Sequence, residues 1–311
     1  MSSPISGIYN ILATPFTGQL EVDYASLHRL VDFQLDRGAD GLTILGVLGE
    51  AAKLTIDERT RVMESVLEVV AGRVPVIVGA SHPDAAQRVA LSKAAVTAGA
   101  LGVMIAPPPM PGHTDDDLIA LYAEVAAAVD APIVVQDFPP VNNVIMTPDM
   151  LARLAEQIPN ARTIKLEDPP LMEKISAIRA RTDQVAILGG LGGMFLLEEL
   201  WRGAAGTMTG FAFTEILVAV YQAWQAGDRA RAEAIFDHYL PLIRYENQPV
   251  INLTIRKELL FRRGAIDTPL LRAPFAPIDA YTLDELTWIL ARVGIADPTP
   301  KVVVKTAERI P

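Results

Sequence analysis

Arg162-Thr163-Ile164-Lys165-Leu166-Glu167-Asp168 decides the reading of this chain. A lysine closes a short run containing a threonine and an isoleucine, and two acids and Pro169-Pro170 follow. β-Branched residues favour a buried strand, and the prolines end it and open a helix predicted over Pro170–Arg181. If Lys165 points to one face of that strand, Thr163 shares its face and Ile164 takes the other.

The same grammar extends in both directions. Upstream, Ile8–Thr14 reads as a strand and Asp23–Arg37 as a helix, with Leu27, Leu30, Val31 and Phe33 near one face. Gly41–Leu45 is a second strand, followed by Gly46-Val47-Leu48-Gly49-Glu50. A helix from Thr55 to about Val70 opens on Thr55-Ile56-Asp57-Glu58, which has capping-box form. Val74–Val78, Gly102–Ile105 and Ile133–Gln136 read as strands three to five. Helices are predicted after them over Asp84–Ala98, Asp115–Val129 and Thr147–Gln157. Downstream of Lys165, Val185–Leu188 and Gly206–Thr209 are strands seven and eight, with helices over Met194–Arg202 and Thr214–Ala226.

Eight strand-then-helix units in about 220 residues predict a parallel sheet closed into an α/β (β/α)₈ TIM barrel. The barrel is expected over residues 1–226. Residues 227–311 form a C-terminal extension of about three helices, near Arg229–Tyr245, Pro249–Arg263 and Thr282–Val293, with Asp297–Pro311 as a tail or linker.

The 311 residues are 50% hydrophobic, enough for a large core, and the net charge is -10. That balance argues against a nucleic-acid or acidic-membrane partner, which needs clustered basic charge. With no cysteine there is no disulfide framework, thiolate nucleophile or Cys metal site. No basic-then-apolar leader and no run of ~20 apolar residues is present, so a cytoplasmic protein is expected. His28, His82, His113 and His238 lack metal-ligand spacing, and no metal is expected.

Barrel enzymes act at the C-terminal ends of their strands. Those ends carry Glu50, Ser81-His82, Gln136-Asp137, Lys165, the cluster Gly189–Gly193, and Thr207 and Thr209. Gln136 and Lys165 lie on neighbouring strands and are expected side by side, with Asp137 turned away from the bore. A lysine buried in an apolar barrel is disfavoured in its charged form, and the free amine can attack a carbonyl. The competing reading is an ion-paired strand-end lysine held by Glu167 or Asp168, and spacing alone favours it. The glycine cluster invites a phosphate-site reading, but close backbone approach explains it better. Phe211 and Phe213 read as packing residues.

From Ile8 to Glu246 the chain resembles the dihydrodipicolinate synthase / N-acetylneuraminate lyase family. The resemblance rests on Thr14-Pro15-Phe16, Gly46-x-x-Gly49-Glu50, Thr55-x-x-Glu58-Arg59, Ile164-Lys165 and Gly203-x-x-Gly206. It implies that Lys165 forms a Schiff base with a 2-keto acid, so that the lysine is the electron sink and no further cofactor is needed. It also implies that the loop Gly46, Val47, Leu48, Gly49 and Glu50 offers backbone N–H groups to the substrate carboxylate, with Gly190, Met208 and Thr209 completing the substrate site. A homotetramer is implied as well.

Three departures narrow the activity. Gln136-Asp137-Phe138-Pro139 replaces a tyrosine motif, and an amide cannot relay a proton. Val141 stands where the synthases place a carboxylate-binding arginine, and Val47 and Leu48 replace the loop's hydroxyl residues. The chain is similar instead to the 2-keto-3-deoxy-L-arabonate dehydratase subgroup at Val135–Pro139, Ser81-His82, Lys165–Glu167, Gly206-x-Met208-Thr209-Gly210 and Leu240–Asn247. That resemblance implies dehydration of a 2-keto-3-deoxy sugar acid to 2-oxoglutarate semialdehyde. Retro-aldol cleavage to pyruvate and a non-catalytic keto-acid-binding barrel are the alternatives. For the base, His82, Glu167, Glu50 and a water held by Gln136 are candidates. Glu50 reads more readily as a buried pin for its loop, and His82 equally as a helix-capping loop residue.

Overall fold

A computed structural model describes residues 5–296 and 302–305. Eight parallel strands close into a barrel in sequence order, β8 pairing with β1. They are β1 (Gly7–Ile11), β2 (Gly41–Ile44), β3 (Val76–Gly79), β4 (Gly102–Ile105), β5 (Ile133–Asp137), β6 (Thr163–Leu166), β7 (Ala186–Gly189) and β8 (Gly206–Thr209). The helices of the outer layer are α1 (Tyr24–Leu35), α2 (Ile56–Val70), α3 (Ala85–Thr97), α4 (Asp115–Ala128), α6 (Pro148–Gln157), α7 (Leu171–Arg179), α8 (Leu196–Trp201) and α9 (Thr214–Gln225). A one-turn helix, α5 (Pro139–Asn142), follows β5.

Strand alternation divides the core in two. Tyr9, Ile11, Ile77, Met104, Val134, Leu188 and Met208 fill the bore. Their outward neighbours, such as Ile8, Val135, Ile164 and Ile187, join the larger core beneath the helices. The bore is therefore a packed core and not an open channel.

The capping box of α2 forms in full, with Thr55 and Glu58 bonding each other's backbone N–H groups. Asp23, Asp84 and Thr147, placed by sequence inside helices, are instead their N-caps: each side chain accepts from a backbone N–H three residues on. Strand β3 starts two residues later than expected, and β1 ends at Ile11 rather than Thr14. Leu12 still donates to Thr43 O across the sheet, so the chain leaves the ladder gradually. The one-turn α5 and the 3₁₀ turns Ala51–Lys53 and Leu191–Gly193 were not anticipated.

Three helices follow the barrel: α10 (Arg229–Glu246), α11 (Asn252–Arg262) and α12 (Ala280–Arg292). Residues 297–301 and 306–311 of the expected tail lie outside the described residues. Within it, Val302 is buried and donates its N–H to Glu215 Oε1 at 3.2 Å. That short piece therefore packs on the body. No described helix is long and apolar enough to cross a membrane.

Candidate active site

Register places Gln136 of β5 directly opposite Lys165 of β6. Both are buried, and both follow the bore-facing parity of Val134 and Thr163. Glu167 lies just past the end of β6, yet its N–H still donates to Asp137 O, so the extended path continues and its side chain falls on the side of Lys165. Lys165 Nζ stands 2.6 Å from Glu167 Oε2, and Gln136 Nε2 donates to the same oxygen at 3.1 Å. The ion-pair reading of Lys165 is thus correct as geometry, and the bore around the amine is less apolar than burial alone suggested. Amine and carboxylate share one hydrogen bond at the mouth of the barrel, the contact that proton transfer between them would require.

The glycine cluster gives this couple its room. A Cβ on Gly190 would lie 2.5 Å from Glu167 Cγ, so only glycine lets the carboxylate reach the lysine. Gly192 donates its N–H to Thr209 Oγ1 at 2.8 Å, and Asn247 caps Leu191 O at 2.6 Å. Thr209 is therefore tied to the loop after β7, while Met208 lines the bore.

Asp137 points outward, as alternation requires, to Lys174 of α7 at 2.5 Å; Asp168 holds the same lysine at 2.6 Å. Burial pushes the Asp137 carboxyl up to about 6 against the pull of Lys174.

The loop after β2 is fixed from below. Glu50 takes a left-handed backbone conformation (φ 54°) and is buried. Its Oε1 meets Lys257 Nζ at 2.6 Å; its Oε2 meets Lys53 Nζ at 2.9 Å and the Arg272 N–H at 3.2 Å. The pinning role is the one Glu50 performs. Burial lowers the Lys257 ammonium to about 8, opposed chiefly by Glu50. Within the loop, the N–H groups of Gly49, Glu50 and Ala51 turn back onto Gly46 O and Val47 O, and Thr14 bonds Gly49 O at 2.6 Å. The amides of Val47 and Leu48 stand outside that set. Val47 is exposed, whereas Leu48 packs against the bore cluster.

His82 is engaged locally. Its Nδ1 accepts the Asp84 N–H at 3.0 Å at the start of α3, so its capping reading holds and the structure does not bring it to Lys165. Phe211 and Phe213 pack together in the core, 5.8 Å between centroids. His28, His113 and His238 are each bonded within their own surroundings.

Two buried acids near the site were not foreseen. Glu199 has no place in the sequence reading, and Glu246 enters it only within the Leu240–Asn247 resemblance, with no role assigned. Glu199 of α8 packs onto Gly189, where a Cβ would lie 1.8 Å from its Oε2. Burial first, then Glu198 and Glu167, push its carboxyl up to about 8. Its place beside β7 depends on the helix–strand packing and has no local sequence signal. Glu246 of α10 accepts the Ala212 N–H and Arg256 Nε, the latter at 2.6 Å. A groove of about 800 Å³ lies at the opposite end of the bore, against Ile5, Pro132, Arg162 and Ala186, away from these groups.

The chain is a closed eight-stranded parallel (β/α)₈ barrel with a buried lysine–carboxylate pair at the C-terminal end of β6. Residues 4–293 match the dihydrodipicolinate synthetase family, and the chain belongs to that family. It is an enzyme of the lyase type. It is 37% identical to an L-2-keto-3-deoxyarabonate dehydratase of Azospirillum brasilense, over 92% of this chain and 94% of that one. A 4-hydroxy-tetrahydrodipicolinate synthase of Syntrophobacter fumaroxidans is 32% identical over 86% and 91% of the two chains. The crystal structure of dihydrodipicolinate synthase from Rhodopseudomonas palustris superposes with a TM-score of 0.87 at 37% identity, covering 93% of this chain and 97% of that one.

Proposed function

We propose that the chain is a Schiff-base-forming lyase of 2-keto-3-deoxy sugar acids, dehydrating 2-keto-3-deoxy-L-arabonate to 2-oxoglutarate semialdehyde. The observation that carries this reading is the Lys165–Glu167–Gln136 trio, with one carboxylate oxygen shared between the amine and the amide. The similarity to the Azospirillum dehydratase supports the choice of substrate.

Glu167 takes a proton from the Lys165 ammonium, and the amine attacks the C2 carbonyl. The carbinolamine hydroxyl takes that proton back from Glu167 and leaves as water, which gives an iminium and restores the carboxylate. A carboxylate held 2.6 Å from the amine is placed to remove the adjacent C3 proton, and the electrons of that bond form an enamine. The enamine re-forms the iminium as the C4 hydroxyl leaves, taking the proton from Glu167 and departing as water. The C3=C4–C5 hydroxymethyl unit then isomerises to a C5 aldehyde, and hydrolysis frees the lysine. Gln136 donates to Glu167 and orients it; an amide does not relay the proton that retro-aldol cleavage must take from the C4 hydroxyl. Val141, over half exposed, offers no group to a second carboxylate, which speaks against the synthase reaction.

Incubation with 2-keto-3-deoxy-L-arabonate tests the reading, with borohydride trapping and intact mass in parallel. The expected products are 2-oxoglutarate semialdehyde and a reduced adduct on Lys165. Pyruvate with a two-carbon aldehyde would make the protein an aldolase. A folded protein that neither traps an adduct nor turns over would be a binding barrel.

A further inference from the structure

Arg256 lies on α11, outside the barrel sequence, yet its side chain is fully buried. Its Nε is paired with Glu246 Oε1 at 2.6 Å, whereas Nη1 and Nη2 are buried and have no hydrogen-bond partner among the described residues. Buried donors left unsatisfied cost free energy, so a guanidinium edge with four unclaimed N–H bonds needs a reason.

Its position supplies one. A Cβ on Gly210 would lie 2.4 Å from Arg256 Nη1 and 3.0 Å from Leu48 Cδ1. Gly210 directly follows β8 and shares the inward parity of Gly206 and Met208. The guanidinium therefore reaches over the C-terminal rim of the bore, between the end of β8 and the loop after β2. That loop carries Val47 and Leu48, whose side chains cannot donate and whose amides are not used in holding the loop together. The Arg256–Glu246 pair fixes the planar fork, because Glu246 is itself held by the Ala212 N–H.

We propose that the Nη1/Nη2 edge of Arg256 binds the carboxylate of the 2-keto acid, supplying from α11 the side-chain donors that the β2 loop lacks. A planar fork matches a carboxylate in two parallel bonds. The proposal rests on the Schiff-base reading for the ligand's identity, and on Arg256's geometry for its site.

The test titrates pyruvate, and pyruvamide as its neutral counterpart, against borohydride-trapped adduct and against thermal stabilisation. Wild type is compared with Arg256→Lys, Arg256→Met and the charge-balanced Arg256→Met/Glu246→Gln, which keeps a folded comparison if the single variant fails. Losing a charge-assisted pair is expected to raise half-saturating pyruvate by ~10–100-fold, with Arg256→Lys between the extremes and pyruvamide unchanged. An unchanged pyruvate titration in the double variant, or an equal loss for both ligands, overturns the proposal while leaving the adduct and the Schiff-base reading intact. If wild type traps no adduct, the Schiff-base reading falls, and stabilisation decides for Arg256. Stabilisation by pyruvate alone that the variants lose upholds its site; none in wild type overturns it.

Discussion

Two buried lysine–glutamate pairs sit at the barrel's rim, each at 2.6 Å: Lys165 with Glu167, and Lys257 with Glu50. Distance and burial do not distinguish them; the remaining partners do. Lys257 also donates to Leu270 O, and Glu50 also receives Lys53 and the Arg272 N–H, so each member of the pair has further partners. Lys165 has Glu167 as its hydrogen-bond partner, and Glu167 is otherwise touched by a neutral amide. A pair with several further partners resists rearrangement, because removing either member strands a buried charge. A sparsely bonded pair can pass its proton and release its amine. The same two residue types thus form a many-bonded pin in one place and, in the proposed mechanism, the reactive couple in the other.

Breaking the reactive pair has the largest expected effect. Lys165→Ala should abolish the trapped adduct and lower turnover by ~10⁴-fold or more, since the covalent route is lost. Intact mass and product assay read both, and residual turnover near wild type would place the nucleophile elsewhere. Glu167→Gln should lower kcat by ~10²–10⁴-fold while pyruvate adduct still accumulates at high concentration, the signature of a lost acid–base group rather than a lost nucleophile.

Breaking the pin should show up in folding first. Lys257→Met leaves Glu50 short of its deepest partner and should cost ~3–5 kcal/mol by denaturant unfolding. Surviving folded enzyme should show a raised KM with kcat largely kept. A fall in kcat with KM unchanged would mean that this pair, too, takes part in chemistry.

Glu199 sharpens the contrast as a buried acid with no ion-pair partner among the described residues. Its carboxyl is raised from 4.5 to about 8, so the folded chain keeps a proton that the unfolded chain releases in between. Its contribution is full below about pH 4.5 and is lost as pH rises through about 8. Glu199→Gln should flatten this fall, by an amount on the order of 5 kcal/mol across the window. Parallel pH–stability curves for the two proteins would show that Glu199 is ionised in the fold.

Much of this was legible in the chain. Lys165 and Glu167 are two residues apart on a strand, so period-two alternation alone puts them on one face. Gln136 joins them because adjacent parallel strands of a barrel have a tight register. The alternation of eight strands and helices specified the closed barrel, and Thr55-x-x-Glu58 specified a helix start, since both are encoded in spacings of a few residues. The outward course of Asp137 followed from the same parity.

What only the tertiary structure decided lies in contacts with no local spacing. Lys257 reaches Glu50 from 207 residues away, and Arg256 reaches the space over Gly210 from a helix added after the barrel. Glu199 is a helical acid like any other until α8 lays it against Gly189 and removes its water. Periodicity sets which way a side chain points from its own element. Which charge it meets, and how much solvent is left there, is fixed by the docking of elements far apart in the chain.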